Sequence, residues 1–195
     1  PSEVEVIADE SANPAFIAAD FLSQAEHGVD SQAMLVTASE SIVEPVMQAI
    51  REQLDRLPRK EITEKSLSHS RLIVLKDKQE VIDFTNLYAP EHLIIQTTDY
   101  ADIAGQVENA GSVFMGPYTP ESAGDYASGT NHTLPTNGYA KAYSGVNLDS
   151  FIKKITFQEI TADGIRLLGG TIRTMAANEQ LDAHKNAVTI RLNTL

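Results

Sequence analysis

Short runs of β-branched and other apolar residues alternate along this chain with segments of helical periodicity, and this alternation constrains the fold more than any other feature. It is the pattern of repeated βαβ units, in which parallel strands form a sheet that helices cover. We therefore expect an α/β fold with an open, largely parallel sheet. Strands are predicted at Val4–Ala8, Ala33–Thr37, Arg71–Leu75, Leu93–Thr97 and Ser112–Met115.

The segments between these strands carry helix signals. Asn13 followed by Pro14 is typical of a helix start, and we expect this helix to run to His27. Each helix has one apolar face for the sheet, so helices should lie on both faces, as in part of a Rossmann-like domain. Further helices are predicted over residues 42–57, 79–87 and 100–107.

The last third of the chain follows a different pattern. Residues 117–143 are rich in Gly, Pro, Ser, Thr and Asn, which indicates an irregular segment that is either functional or disordered. Beyond it we expect a small C-terminal α+β unit. Its predicted elements are a helix at 148–154, a strand near 155–157, a helical region at 162–184 and a strand at 187–192. We expect two domains, with residues 1–146 in the α/β domain and residues 147–195 in the C-terminal unit.

Charge and cysteine content narrow the classes of function. A formal net charge of -12 disfavours nucleic acid and anionic lipid as partners, because both reward clustered Lys and Arg. No apolar run is long enough to cross a bilayer, so a soluble, cytoplasmic protein that acts on a small molecule is expected. Cysteine is absent, which leaves imidazole, carboxylate and amide groups as the available metal ligands.

The irregular segment contains the densest group of reactive side chains. Asp125 and His132 lie within a nine-residue run that also carries two glycines, two aliphatic hydroxyl groups and an amide. Glycines let the backbone approach a ligand closely, and an Asp supplies a hard oxygen for a metal. The alternative is an Asp turn with a solvent-facing His in a mobile loop, and the residues favour neither interpretation.

Three other pairs of residues offer suitable chemistry. Gln24 and His27 are three apart near the end of the first helix, so they can converge on one metal ion, or they form a polar helix end. Glu91 and His92 precede an apolar strand and suit proton transfer, or they form a surface pair. They serve one site only if the backbone turns there. Glu179 and His184 are most simply part of a solvated helix face.

These places together supply two His, one Asp and one Gln for a zinc ion, and leave a Glu and a His as acid and base. Four motifs then resemble those of histidinol dehydrogenases, in the same order and over nearly the whole chain. They are Ser23-Gln24-Ala25-Glu26-His27, Ala89-Pro90-Glu91-His92-Leu93, the segment from Pro120 to His132 with Leu134-Pro135 after it, and Ala183-His184-Lys185-Asn186-Ala187-Val188.

The resemblance implies an enzyme of histidine biosynthesis that oxidises L-histidinol to L-histidine through the aldehyde. It would use two NAD in succession and one zinc per subunit. By position, His92 would take the hydroxyl proton and Glu91 would help to activate water. Zinc would be held by Gln24, His27, Asp125 and His184. Substrate contacts would come from these ligands and from Ser2, His92, His132 and Glu179.

The resemblance also implies a homodimer in which the C-terminal unit reaches the partner's site. Proteins of this family are about twice as long, so we expect this chain to be a C-terminal portion that lacks the NAD domain and is inactive alone. No glycine fingerprint for a dinucleotide follows a predicted strand. The alternative is a non-catalytic fragment or interaction module that binds zinc or substrate, and manganese or cobalt would also suit the ligand set.

Overall fold

The computed structural model describes residues 2–195. Five strands form one open sheet in the order β3-β2-β1-β4-β5, and every neighbouring pair is parallel. This confirms the predicted α/β fold, with each strand within one residue of its predicted ends. The strands are β1 (Glu3–Ala8), β2 (Gln32–Thr37), β3 (Arg71–Val74), β4 (His92–Gln96) and β5 (Ser112–Met115).

Six helices accompany the sheet: α1 (Pro14–Ala25), α2 (Val43–Leu54), α3 (Lys60–Leu67), α4 (Lys78–Tyr88), α5 (Tyr100–Ala104) and α6 (Glu121–Tyr126). Short 3-10 turns lie at Glu40–Ile42, Tyr139–Lys141 and Leu148–Phe151. Asn13 caps α1 as predicted, since its side chain accepts a hydrogen bond from the Ala15 N–H at 2.9 Å. The sequence patterns did not predict α3 or α6, because both are short and polar.

The sheet buries a hydrophobic core on each face. On one face, β-strand residues such as Val6 and Ile94 pack against Phe21 of α1. On the other, Ile7 and Leu93 pack against α4 and α5. Because side chains alternate along a strand, His92 lies on the α1 face with Ile94, while Glu3 and Glu5 lie on the α4 face with Ile7.

The internal contacts divide the chain into two compact units, the first ending at Phe151 and the second spanning Ile152–Leu195. The second unit contains α7 (Ala162–Asn178) and α8 (Asp182–Leu192), which pack against each other. Gly169 makes this packing close, because a Cβ there would lie 2.8 Å from a methyl carbon of Leu192.

The two strands predicted for this unit are wrong. Residues 155–157 have no regular structure, and 187–192 lie inside α8. The apolar residues from Ala187 onward also fit a helix, and Val188 is buried in that conformation. The predicted helical region 162–184 is two helices, which separate at Gln180 with its φ of 59°. Within residues 2–195, the helices are too short or too polar to span a lipid bilayer.

Candidate active site

The candidate site lies at the amino edge of the sheet, where β1 and β4 begin side by side. Val4 is paired with His92 in the sheet register. Helix α4 ends at Tyr88. The next residue, Ala89, has a left-handed φ of 57°, and the chain turns there before β4. The Ser112 N–H donates to the Glu91 carbonyl at 2.9 Å and anchors the turn to β5. This turn brings Glu91 and His92 to one place.

Glu91 is buried and held in a fixed orientation. Its Oε2 accepts hydrogen bonds from the Ser2 hydroxyl at 2.8 Å and from the Glu3 N–H at 2.9 Å. The same oxygen lies 3.6 Å from Nδ1 of His92. The acid and base predicted from the sequence are therefore neighbours, and Ser2 touches the acid.

His92 is 3% exposed, and its two ring nitrogens differ in their surroundings. Nδ1 lies 3.1 Å from the Glu3 carbonyl, which can only accept a hydrogen bond, so Nδ1 carries the proton in the neutral ring. Nε2 has no hydrogen-bond partner among residues 2–195, and Oε1 of Glu121 lies 4.0 Å from it. The free lone pair on Nε2 can accept a proton.

A second group of ligand atoms lies where α1 ends and α6 begins. One atom each from His27, Glu121 and Asp125 lie within 4.8 Å of one another. Nitrogen and carboxylate oxygen donors at this separation suit a divalent cation such as zinc. Two of the predicted ligands, His27 and Asp125, are thus brought together, and Glu121 joins them.

Gln24 supports this interpretation of the cluster. Its side chain is fully buried, and neither its amide oxygen nor its amide nitrogen has a hydrogen-bond partner among residues 2–195. An unpartnered buried amide is costly, so such a group requires an explanation. Gln24 lies one helical turn before His27, and a metal ion bound beside His27 would satisfy the amide oxygen. The residues present therefore fit the implied zinc.

Buried carboxyl groups surround this cluster. Burial, reinforced by the charges of Asp125, Glu91 and Asp20, raises the pKa of Glu121 to about 8. Burial also raises the pKa of Asp20 to about 7, although a hydrogen bond from Nε2 of Gln96 at 2.8 Å acts to lower it. The charges that act on these two carboxyl groups are all negative, which favours a cation at this place.

The position of α6 depends on a glycine. A Cβ on Gly124 would lie 2.6 Å from the Phe114 ring on β5, so no other residue permits this approach of helix to strand. Gly124 lies between Glu121 and Asp125, and the close packing holds both carboxylates at the site. This is the use of glycine that the polar run indicated.

The remaining predicted residues lie elsewhere. His132 is exposed in the irregular segment, inside a turn in which the Thr133 N–H donates to Oδ1 of Asn131. Glu179 is the C-cap of α7 and His184 lies in the first turn of α8, both exposed in the second unit. They do not share a helix face, because the chain turns at Gln180.

Sequence reasoning missed two acidic residues at the site, Glu121 and Glu3. Each had a signal. Pro120 before Glu121 is typical of a helix start, and a Glu within a strand that should be buried on both faces is unusual. Both residues are at most 4% exposed.

A family profile, curated sequences and a solved structure all match this chain and all point to one family. The histidinol dehydrogenase family profile matches residues 1–192. The histidinol dehydrogenase of Bacteroides thetaiotaomicron is 68% identical over the whole chain, and the chloroplastic one of Arabidopsis thaliana is 58% identical. The chain covers 46% and 42% of these proteins, respectively. A crystal structure of histidinol dehydrogenase from Elizabethkingia anophelis, 57% identical, superimposes on all of this chain and 45% of its own with a TM-score of 0.94. The chain thus spans about half the length of the relatives it matches.

Proposed function

Because the chain belongs to the histidinol dehydrogenase family, we propose that it carries the acid–base pair and most of the zinc site of an enzyme that oxidises L-histidinol to L-histidine. The single observation that supports this best is that Glu91 and His92 lie beside the cluster of His27, Glu121 and Asp125 at one edge of the sheet. In the full protein, the first oxidation gives the aldehyde and the second gives the acid, with two molecules of NAD as hydride acceptors.

His92 performs the first proton transfer in this proposal. The Glu3 carbonyl fixes the Nδ1 proton, so Nε2 accepts the hydroxyl proton of histidinol while the hydride on the adjacent carbon goes to NAD. The imidazolium that forms is stabilised by Oε2 of Glu91, 3.6 Å from Nδ1. The His92 ring is buried against the sheet and beside the Phe114 ring, so bulk water does not compete for the proton.

Glu91 serves the second oxidation. Its carboxylate accepts a proton from water as the water oxygen bonds to the aldehyde carbon. The product is the hydrate anion, which gives its hydride to the second NAD and becomes the carboxylic acid. The hydrogen bonds from Ser2 and from the Glu3 N–H orient the carboxylate for this step. The Ser2 hydroxyl is also within reach of a substrate that contacts Glu91.

Zinc would be held by Gln24, His27 and Asp125 of this unit, together with His184. When bound, the ion would orient the amino and imidazole nitrogens of the substrate, which lowers the entropic cost of reaction. Glu121 lies within the same cluster and compensates positive charge there. His132 and Glu179 would contact the substrate. NAD would bind to residues outside this chain, and we expect no turnover by these 195 residues alone.

We further propose a homodimer in which His184 and Glu179 serve the partner's site. The second unit buries few residues within one chain, and apolar side chains such as Phe157, Leu167 and Met175 are 91%, 82% and 59% exposed. Exposed apolar area of this kind is typical of a surface that a second subunit covers.

A complementation experiment tests this arrangement. Full-length His92→Ala and His184→Ala variants are each expected to be inactive. If His184 acts in the partner's site, mixed dimers contain one intact site, and refolding an equal mixture restores about a quarter of wild-type activity. If it acts within its own subunit, every site in the mixture carries a defect and activity is not restored.

The function itself is tested with the complete polypeptide, loaded with zinc and given histidinol and NAD. The expected result is two NADH per histidinol, with histidine as product. Removal of zinc by a chelator should abolish turnover, and its return should restore it. Absence of NADH from the metal-replete protein would show that the assignment is wrong.

A further inference from the structure

Glu3 contacts both members of the acid–base pair without belonging to it. Its N–H donates to Oε2 of Glu91 at 2.9 Å, and its carbonyl lies 3.1 Å from Nδ1 of His92. The side chain is 4% exposed, and Oε1 accepts a hydrogen bond from the Asn137 N–H. Oε2 has no hydrogen-bond partner among residues 2–195. A buried carboxylate beside the catalytic pair is thus left half satisfied.

The Glu3 side chain lines a cavity of about 460 Å³. Tyr88 and Gln32 form a polar wall of this cavity, joined by a hydrogen bond of 2.7 Å from the Tyr88 hydroxyl. Leu87 and Lys141 line the outer part and are exposed. The volume is enough for several water molecules, each of which occupies about 30 Å³ in the liquid. The cavity therefore connects the buried carboxylate to solvent.

The charged and titratable groups around Glu3 favour a carboxyl group that can hold a proton. Burial raises the pKa of Glu3, a hydrogen bond from Asn137 opposes this, and the charge of Glu91 raises it further. Glu5 lies two residues along on the same face of β1, and Tyr88 faces all three carboxylates, whose charges raise its own pKa beyond the effect of burial. Lys141 is the cation lining the cavity.

We propose that Glu3 passes protons from Glu91 to solvent through this cavity, an inference that rests on the proposed function. When water adds to the aldehyde, one proton moves to the Glu91 carboxylate. That proton then moves through a bridging water molecule to the Glu3 carboxylate, and from Glu3 to water in the cavity. Each transfer moves one proton and no electrons, since the hydride goes to NAD. Glu91 is returned to its ionised form for the next turnover. Glu3 acts through Glu91 and does not touch the substrate.

The test compares Glu3→Gln with Glu5→Gln in the full-length, zinc-loaded protein. Glu5→Gln is the matched control, because Glu5 is also buried on the same face of β1. Its carboxylate accepts a hydrogen bond from the Thr85 hydroxyl instead of lying beside the acid–base pair. With the aldehyde as substrate, Glu3→Gln should lower kcat by about tenfold or more and increase the solvent deuterium isotope effect. KM and zinc content should stay within about twofold of wild type, and Glu5→Gln should retain wild-type kcat.

Chemical rescue provides the second measurement. In Glu3→Ala, millimolar formate, which fits the cavity, should restore part of the lost kcat with little change in KM. A wild-type rate in Glu3→Gln would overturn the relay, and so would a slow Glu3→Ala that formate does not accelerate. If Glu3→Gln does not fold, Glu3→Asp keeps the carboxyl and should retain more activity than Glu3→Ala; equal rates would overturn the proposal. Failure of the wild-type protein to oxidise histidinol would instead refute the proposed function.

Discussion

The carboxyl edge of the sheet and the amino edge differ in how their acidic side chains are satisfied. At the carboxyl edge, Asp9 accepts hydrogen bonds from Ser11 and Thr98, and Lys78 pairs with Asp99 and Asp102 at 2.9 and 2.8 Å. At the amino edge, Glu3 and Glu121 each keep one oxygen without a partner among residues 2–195.

The carboxyl edge is where open α/β sheets usually bind ligands, at the point where strand order reverses. In this sheet that point lies between β1 and β4, and a cavity of about 290 Å³ lies there, lined by Asp9, Ser39 and Thr98 among others. The groups suited to chemistry nevertheless lie at the opposite edge. Buried carboxyl oxygens without partners, rather than fold topology, point to the candidate site, because such atoms lower the stability of the fold and therefore suggest a function.

The largest expected effect separates the two edges by activity. In the full-length protein, His92→Ala removes the proton acceptor and should lower kcat by about 10²- to 10⁴-fold. Lys78→Met should leave kcat unchanged, since Lys78 lines the cavity at the carboxyl edge and pairs there with Asp99 and Asp102, away from the acid–base pair. Steady-state NADH production measures both. Equal losses would mean that the carboxyl edge takes part in the reaction.

The second prediction compares Glu5, which lies in β1, with Asp9, which directly follows that strand. Burial raises the pKa of Glu5 from an ordinary 4.5 to about 8, so its ionisation destabilises the fold progressively as pH rises from 4.5 to 8. Glu5→Gln should therefore stabilise the protein by roughly 2–5 kcal/mol at pH 9 and by little at pH 4. Urea unfolding at the two pH values measures this.

Asp9→Asn should have the opposite sign. Although burial raises the pKa of Asp9, the hydrogen bonds from Ser11 and Thr98 lower it below its usual value. The stability that Asp9 contributes is present above its unfolded pKa and is lost as pH falls through the folded value. Asp9→Asn should destabilise the protein at pH 7 and not in strong acid. The same sign for both variants would contradict the contrast between the edges.

The third prediction compares two buried glutamines. Gln24→Leu removes two unpartnered polar atoms, so the metal-free protein should gain roughly 1–3 kcal/mol of unfolding free energy while zinc affinity falls at least about tenfold. Gln96→Leu deprives Asp20 of its donor and should destabilise the metal-free protein instead. Thermal unfolding and zinc titration measure these effects. Unchanged zinc affinity in Gln24→Leu would exclude it as a ligand.

The smallest expected effect distinguishes two glycines. Gly124→Ala forces α6 away from Phe114 and should cost about 1–3 kcal/mol, with weaker zinc binding because Glu121 and Asp125 move with the helix. Gly116 follows β5 at the carboxyl edge with a φ of 84°, and Ala there should cost about 1–2 kcal/mol through backbone strain alone. Zinc affinity should therefore change only in Gly124→Ala, as measured by titration.

The regular part of the fold was predictable from local patterns. Each strand of the sheet contains a short run of apolar residues, and burial on both faces of the central strands β1, β2 and β4 makes such runs recognisable. The C-terminal unit was less predictable, because the apolar residues of 187–192 are compatible with a strand or a helix and packing against α7 decides between them. Helix α6 was not predicted because it is short and polar and contains Gly124, a residue that disfavours helices.

The sequence by itself determined the residue types available for chemistry, the succession of strands and of most helices along the first 115 residues and the absence of thiol ligands. Only the tertiary structure decided that Glu91 and His92 face one another around Glu3, that Glu121 joins His27 and Asp125, and that Gln24 is buried without a partner. The physical reason is that burial and proximity depend on contacts between residues about 90 or more positions apart, which no local periodicity records.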